Sequence, residues 1–158
     1  MLGRVVVFIL LAVMIAGCSG LRPYVSNYEK NLYISTRTQA SGFLASVDAA
    51  VDIYSVNADC SKLYQGTVDL RKSSVAVGLL PNTLSYLSFT FASSAFLANS
   101  HGTMSYDTAL VPRDGYDYDV AVSYIDNIYN VTIRERNSSS GESHELVAGP
   151  SDNCGNSD

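Results

Sequence analysis

Three observations predict an all-β chain folded as an antiparallel β-sandwich of about seven or eight strands. Between Glu29 and Arg136 the dominant hydrophobic period is two, and helical spacing is nearly absent. Turn-forming residues punctuate the apolar runs at Gly42, Asn57, Gly78, Pro81-Asn82, Asn99 to Gly102 and Pro112 to Gly115. The resulting segments are short and leave no room for the crossover helices that a parallel sheet requires.

The strands follow in order. Leu32 and Ile34 give a brief alternation, and Val47, Ala49, Val51 and Ile53 a longer one, set against Asp48, Ala50, Asp52 and Tyr54. Tyr64 to Leu70, Leu84 to Phe91 and Thr103 to Thr108 repeat the pattern. Ala92 to Asn99 is rich in small residues and is compatible with either a helical turn or a loop. Asn137 to Ser143 reads as a flexible polar segment, and Leu146-Val147 as a short edge strand.

The sharpest local expectation is a hairpin, Tyr116 to Ile125, then Asp126-Asn127, then Ile128 to Arg136. A two-residue turn pairs Ile125 with Ile128 and fixes every later pair. One face then stacks Tyr124 with Tyr129, Val122 with Val131 and Val120 with Ile133. The other sets Asp119 against Arg134 and Asp117 against Arg136, so that opposite charges meet across the strands. A slip of one residue breaks both faces at once.

Ahead of these strands, Met1 to Arg4 form a short basic region, Val5 to Ala16 an apolar stretch of signal-peptide length, and Ile15-Ala16-Gly17-Cys18 follow. The apolar stretch is too short to span a bilayer, which takes about 20 residues. Those four residues resemble the lipobox of bacterial lipoproteins. The resemblance implies cleavage before Cys18 and acylation of its thiol and of the new amino terminus, hence a permanent membrane anchor. Ser19, in place of an aspartate, implies the outer membrane, facing the periplasm, in a Gram-negative cell.

The expected organisation is therefore a cleaved leader over residues 1–17 and an acylated start with a tether over 18–28. A β-sandwich over 29–148 and a C-terminal tail over 149–158 complete it. Ten tether residues reach roughly 35 Å when extended. Without the leader the chain keeps nine Lys and Arg against fifteen Asp and Glu, a formal charge of −6. No basic patch stands out, which speaks against nucleic acid or an anionic membrane face as a partner.

With Cys18 taken by lipid, Cys60 and Cys154 form an even pair in an exported chain and read as a disulfide stapling the polar tail to the body. The chain-entropy effect of such a bridge is at most roughly 4 to 5 kcal/mol. Two free thiols are the alternative. No Cys/His spacing points to a metal, so no cofactor is expected beyond the lipid on Cys18. Asp114, Asp117, Asp119 and Asp126 suggest a calcium site, but the ligand order of an EF-hand-type loop is absent and two of the four face arginines in the hairpin register.

Catalytic motifs are missing as well. His101 lies in a Gly/Asn/Ser turn and His144 in a Ser/Gly/Glu-rich segment, neither framed by a nucleophile, and no G-x-S-x-G or H-E-x-x-H occurs. No enzymatic role is expected. Eleven tyrosines and no tryptophan are the remaining signal. Nine of the tyrosines fall in expected strands, where packing favours them. Tyr54 and Tyr118, read as lying on polar faces, are candidates for an exposed aromatic patch.

The body of the chain carries Val51-Asp52-Ile53-Tyr54, Leu87-Ser88-Phe89 and a Pro112-x-x-Gly115-x-x-Tyr118 element before a valine-rich strand. In these it resembles small proteobacterial lipoproteins with a transthyretin-like or carboxypeptidase-regulatory-like sandwich. An Ig-like arrangement fits the same strand count. The function expected is that of a membrane-anchored interaction or scaffold module of the cell envelope with a protein partner. The alternative is a module binding envelope glycan, another small ligand or an ion.

Overall fold

A computed structural model describes residues 21–39, 45–95, 100–125 and 128–147. The regular elements among them are all strands: β1 (Leu32–Thr38), β2 (Ala45–Val56), β3 (Lys62–Asp69), β4 (Ser74–Val77), β5 (Ser85–Ala95), β6 (Ser100–Leu110), β7 (Tyr116–Ile125), β8 (Ile128–Asn137) and β9 (Ser143–Leu146). They form two sheets, ordered β3-β2-β5-β6 and β4-β1-β7-β8-β9. The fold is a β-sandwich, as expected. Every neighbouring pair is antiparallel except β1 and β7, which run parallel.

Period two drives the packing. Ala49, Val51 and Ile53 of β2 turn inward beside Leu87, Phe89 and Phe91 of β5, and meet Leu32 and Ile34 of β1 and Val120 and Val122 of β7. Phe89 is wholly buried, and its loss to alanine would cost about 3 to 5 kcal/mol. The β7–β8 register is the expected one, from Ile125 opposite Ile128 to Asp117 opposite Arg136; Asp126 and Asn127 lie outside the described residues. β4, the strand the sequence did not announce, is four residues of Ser-Val-Ala-Val, too short to show a period.

Two expectations about irregular segments change. Asn137 to Ser143 is a built turn: the Asn137 side chain accepts from the amides of Ser139 and Ser140 at 2.9 Å, and its carbonyl from Gly141 at 2.8 Å. Ala92 to Ala95 continue β5, and residues 96–99 lie outside the described part.

The third change concerns the tether. From Arg22 the chain lies along the sandwich, across the gap between the edge strands β3 and β4. Tyr24 donates its amide to Thr67 O at 2.9 Å, and Arg22 O accepts from the Thr67 amide at 2.8 Å. The Arg22 guanidinium reaches Gln65 O at 2.7 Å. Further on, the hydroxyls of Tyr24 and Ser26 both donate to Gly78 O, at 2.8 and 2.7 Å. Asn31 then brackets Leu79, accepting from its amide at 2.7 Å and donating to its carbonyl at 2.9 Å.

Two glycines make this approach possible. A Cβ on Gly66, whose φ is 148°, would sit 2.6 Å from the Tyr24 Cα, and one on Gly78 would sit 2.4 Å from the carbonyl oxygens of Tyr28 and Glu29. Only residues without a side chain admit backbone that close. Residues 22–31 therefore form a strap that belongs to the sandwich.

Candidate interaction surface

The inward turn of Val51 and Ile53 forces Asp48, Ala50, Asp52 and Tyr54 of β2 to the outer face of the four-stranded sheet. Cross-strand pairing extends this into rows. Tyr64, Tyr54 and Tyr86 stand side by side on β3, β2 and β5. The ring centroids of Tyr54 lie 5.5 Å from Tyr64 and 5.9 Å from Tyr86, at interplanar angles of 59° and 72°. The next row is Thr67, Asp52, Ser88 and Asp107. Beyond it lie small side chains, Ala50, Thr90 and Ser105, then Ala92 and Thr103.

Hydrogen bonds tie the two rows together. The Tyr64 hydroxyl lies 2.5 Å from that of Thr67, which in turn donates to Asp52. Ser88 donates to Asp107 at 2.6 Å, and Tyr86 shares the same carboxylate. Burial, then the bond to Asp107, pushes the Tyr86 phenol up to about 12. Burial and the nearby Asp52 charge also raise Tyr54. Both therefore stay protonated donors at neutral pH. Lys62 covers one side of the row, its Nζ 3.2 Å from the Tyr86 ring centroid.

Of the two tyrosines singled out from sequence, Tyr54 is thus at the centre of an outward row. Tyr118 is a correction: it is buried, 1% exposed, on the same inward face of β7 as Val120 and Val122. Its hydroxyl donates to Glu135 at 2.6 Å and accepts from the Arg113 amide at 2.9 Å. Burial, then the Glu135 bond, takes its phenol to about 12.

Glu135 is the node of a second cluster, at the opposite edge between β6 and β9. Its carboxylate, 4% exposed, accepts from both arms of Arg113, with Nε at 2.9 Å. His144 Nε2 stands 3.2 Å away, set opposite Glu135 by the β8–β9 register. Burial pushes the Glu135 carboxyl up, but the hydrogen bonds from Arg113 and Tyr118 and the charge of Arg113 outweigh it and hold the carboxyl below its ordinary range. A cavity of about 440 Å³ adjoins this cluster, and the buried Thr108 hydroxyl, without a partner among the described residues, lines it. His144 is accordingly no bystander in a flexible segment. His101 lies in β6, opposite Ser94.

Of the aspartates of the suspected calcium site, Asp126 lies outside the described residues, and Asp114 stands apart from Asp117 and Asp119 in its partners. Asp114 accepts from Asn82 at 2.8 Å, while Arg136 takes both Asp117, at 3.2 Å, and Asp119, at 3.1 Å. Asp119 thus pairs diagonally with Arg136 and not with Arg134, which stands opposite Glu145 on β9. Among the described residues no group of three or more His, Cys, Asp or Glu could hold a metal ion.

Cys60 lies in the tight turn joining β2 and β3, at φ 63°, its amide donating to Asn57 O at 2.9 Å. Cys18, Cys154 and the leader lie outside the described residues. What sequence reasoning missed is the tyrosine row as a unit. The pairing of β2 with both β3 and β5 creates it, and that pairing is not written in any one segment. No protein-family model matches the chain, and no curated protein matches it.

Proposed function

We propose that this protein is a lipid-anchored, non-enzymatic module of the bacterial cell envelope that docks a protein partner on the outer face of its four-stranded sheet. The row Tyr64, Tyr54 and Tyr86 carries the reading. Tyrosine supplies large amphipathic contact area at low entropic cost, and protein interfaces are enriched in it. Ser88, Ser105 and Thr103 add adaptable hydroxyls, and Asp52 and Asp107 give the face an acidic character that suits a partner bearing Arg or Lys. The steep tilts between the rings favour protein over glycan, because a sugar stacks best on rings that share a plane.

The anchor belongs to the same proposal. Cys18 is the acylated residue, by resemblance to the lipobox, and the location is the outer membrane facing the periplasm. The disulfide of Cys60 with Cys154 is supported by the bonded state of Cys60.

In-cell crosslinking of the natively expressed protein, followed by detergent purification and mass spectrometry, tests the partner. A single envelope protein should be recovered near stoichiometrically and be lost from a Tyr54→Ala, Tyr86→Ala variant that still folds. Recovery of glycan, or equal recovery with the double variant, would refute the docking face. Cys18→Ser should release the protein from the membrane fraction, and its retention there with the leader cleaved would refute the anchor.

A further inference from the structure

Covering the gap between β3 and β4, the strap leaves a largely apolar groove of about 680 Å³ beside it, lined by Leu21, Tyr24, Val68, Val75 and Val77 and running on to Ala50 and Thr90 on the outer face of the four-stranded sheet. Leu21, 64% exposed, stands at its mouth where the described chain begins. Val25, on the strap, is 76% exposed, and Tyr28 is also exposed. Arg71, paired with Asp69, and Lys72 and Asp48 line it as well.

We infer that this strapped edge is the face the domain lays on the phospholipid bilayer. The inference rests on the acylation of Cys18 put forward above. Chain length carries it. Because Arg22 is already fastened to β3, only residues 19–21 separate Cys18 from the sandwich, and four residue steps reach at most about 14 Å. An anchor so close leaves the domain no freedom to hang from a long tether.

The edge that must then meet the membrane is the one bearing exposed Leu21 and Val25. A tyrosine with one apolar and one wet end, such as the exposed Tyr28, suits the interface, and Lys72 suits lipid phosphate. The far edge, β9, lies four strand spacings away, about 19 Å across the sheet. The tyrosine row shares the outer face with Ala50 and Thr90 but stands four residues further along β2, about 13 Å from them, and is left open to a partner.

The natural chain has no tryptophan, so single-tryptophan variants report position directly. Full-length acylated protein carrying Val25→Trp on the strap, Lys72→Trp in the groove lining, or Val147→Trp at the far edge would be reconstituted in phosphatidylethanolamine/phosphatidylglycerol vesicles containing brominated phospholipid. Expected is loss of most of the emission, with a blue shift, for Val25→Trp and Lys72→Trp, and unchanged emission for Val147→Trp. Quenching at Val25→Trp alone, at all three, or at none overturns the orientation while flotation with the vesicles still upholds the anchor. A blue shift without quenching would mean that the protein's own acyl chain fills the groove, and this too overturns it. Failure to float refutes the anchor, and the orientation with it.

Discussion

Between β3 and β4 the gap between the sheets is covered by backbone, and between β6 and β9 it is flanked by a charged cluster around Glu135. The backbone solution is local in energy but distant in sequence. Tyr24 and Gly78 are 54 residues apart, and their contact exists because two positions lack side chains. The ionic solution takes a carboxylate out of water and offsets that cost with Arg113, Tyr118 and His144. One edge thus depends mainly on shape, whereas the other depends on charge and titrates. The shape-dependent edge keeps an apolar groove beside it, suited to a lipid surface.

Filling a seat of the strap should have the largest effect. In Gly78→Ala the new Cβ meets backbone oxygens that cannot swing aside. The strap should lift and expose Val77 and Leu79, at a cost of roughly 3 kcal/mol. Urea unfolding measures the loss, and limited proteolysis within residues 22–31 should become rapid. Unchanged stability and unchanged cleavage would mean that the strap does not contribute.

At the other edge, Glu135→Gln keeps the shape and removes the charge, at a cost of about 2 kcal/mol at neutral pH. The strap should stay protected from protease. If Glu135→Gln loosened residues 22–31 as much as Gly78→Ala does, the two edges would not be independent.

Acid sharpens the contrast further. The folded Glu135 carboxyl titrates below its ordinary range, so its contribution is complete above the unfolded value and is lost as pH falls through the lowered folded value. The thermal midpoint should therefore drop in acid, and less steeply in Glu135→Gln. Equal acid slopes in the two proteins would remove Glu135 as a source of the pH dependence. The smallest expected effect is that of Tyr24→Phe, which deletes the 2.8 Å bond to Gly78 O and should cost about 1 kcal/mol by chemical denaturation.

Legibility in the sequence follows the same division. The β7–β8 hairpin could be read residue by residue because Val120, Val122 and Tyr124 on one face and Asp117 and Asp119 on the other demand one register. Tyr118 was legible too, since it shares parity with Val120, but the flanking aspartates drew it to the wrong face. The strap shows no period, and what fastens it lies on β3 and just beyond β4. Gly66, within a strand, was the available signal, because a strand glycine often marks a close backbone approach. His144 could not be matched to Glu135 without the β8–β9 register. The tyrosine row likewise needed the order β3-β2-β5.

The most direct test of the strap as part of the sandwich is native-state amide hydrogen exchange at Tyr24. Its amide, bonded to Thr67 O, should exchange only through global unfolding, with a protection factor close to that of the buried Val51 amide in β2, a strand paired on both sides. Exchange at Tyr24 orders of magnitude faster than at Val51 would show a fraying terminus, and would return residues 22–31 to the role of a free tether.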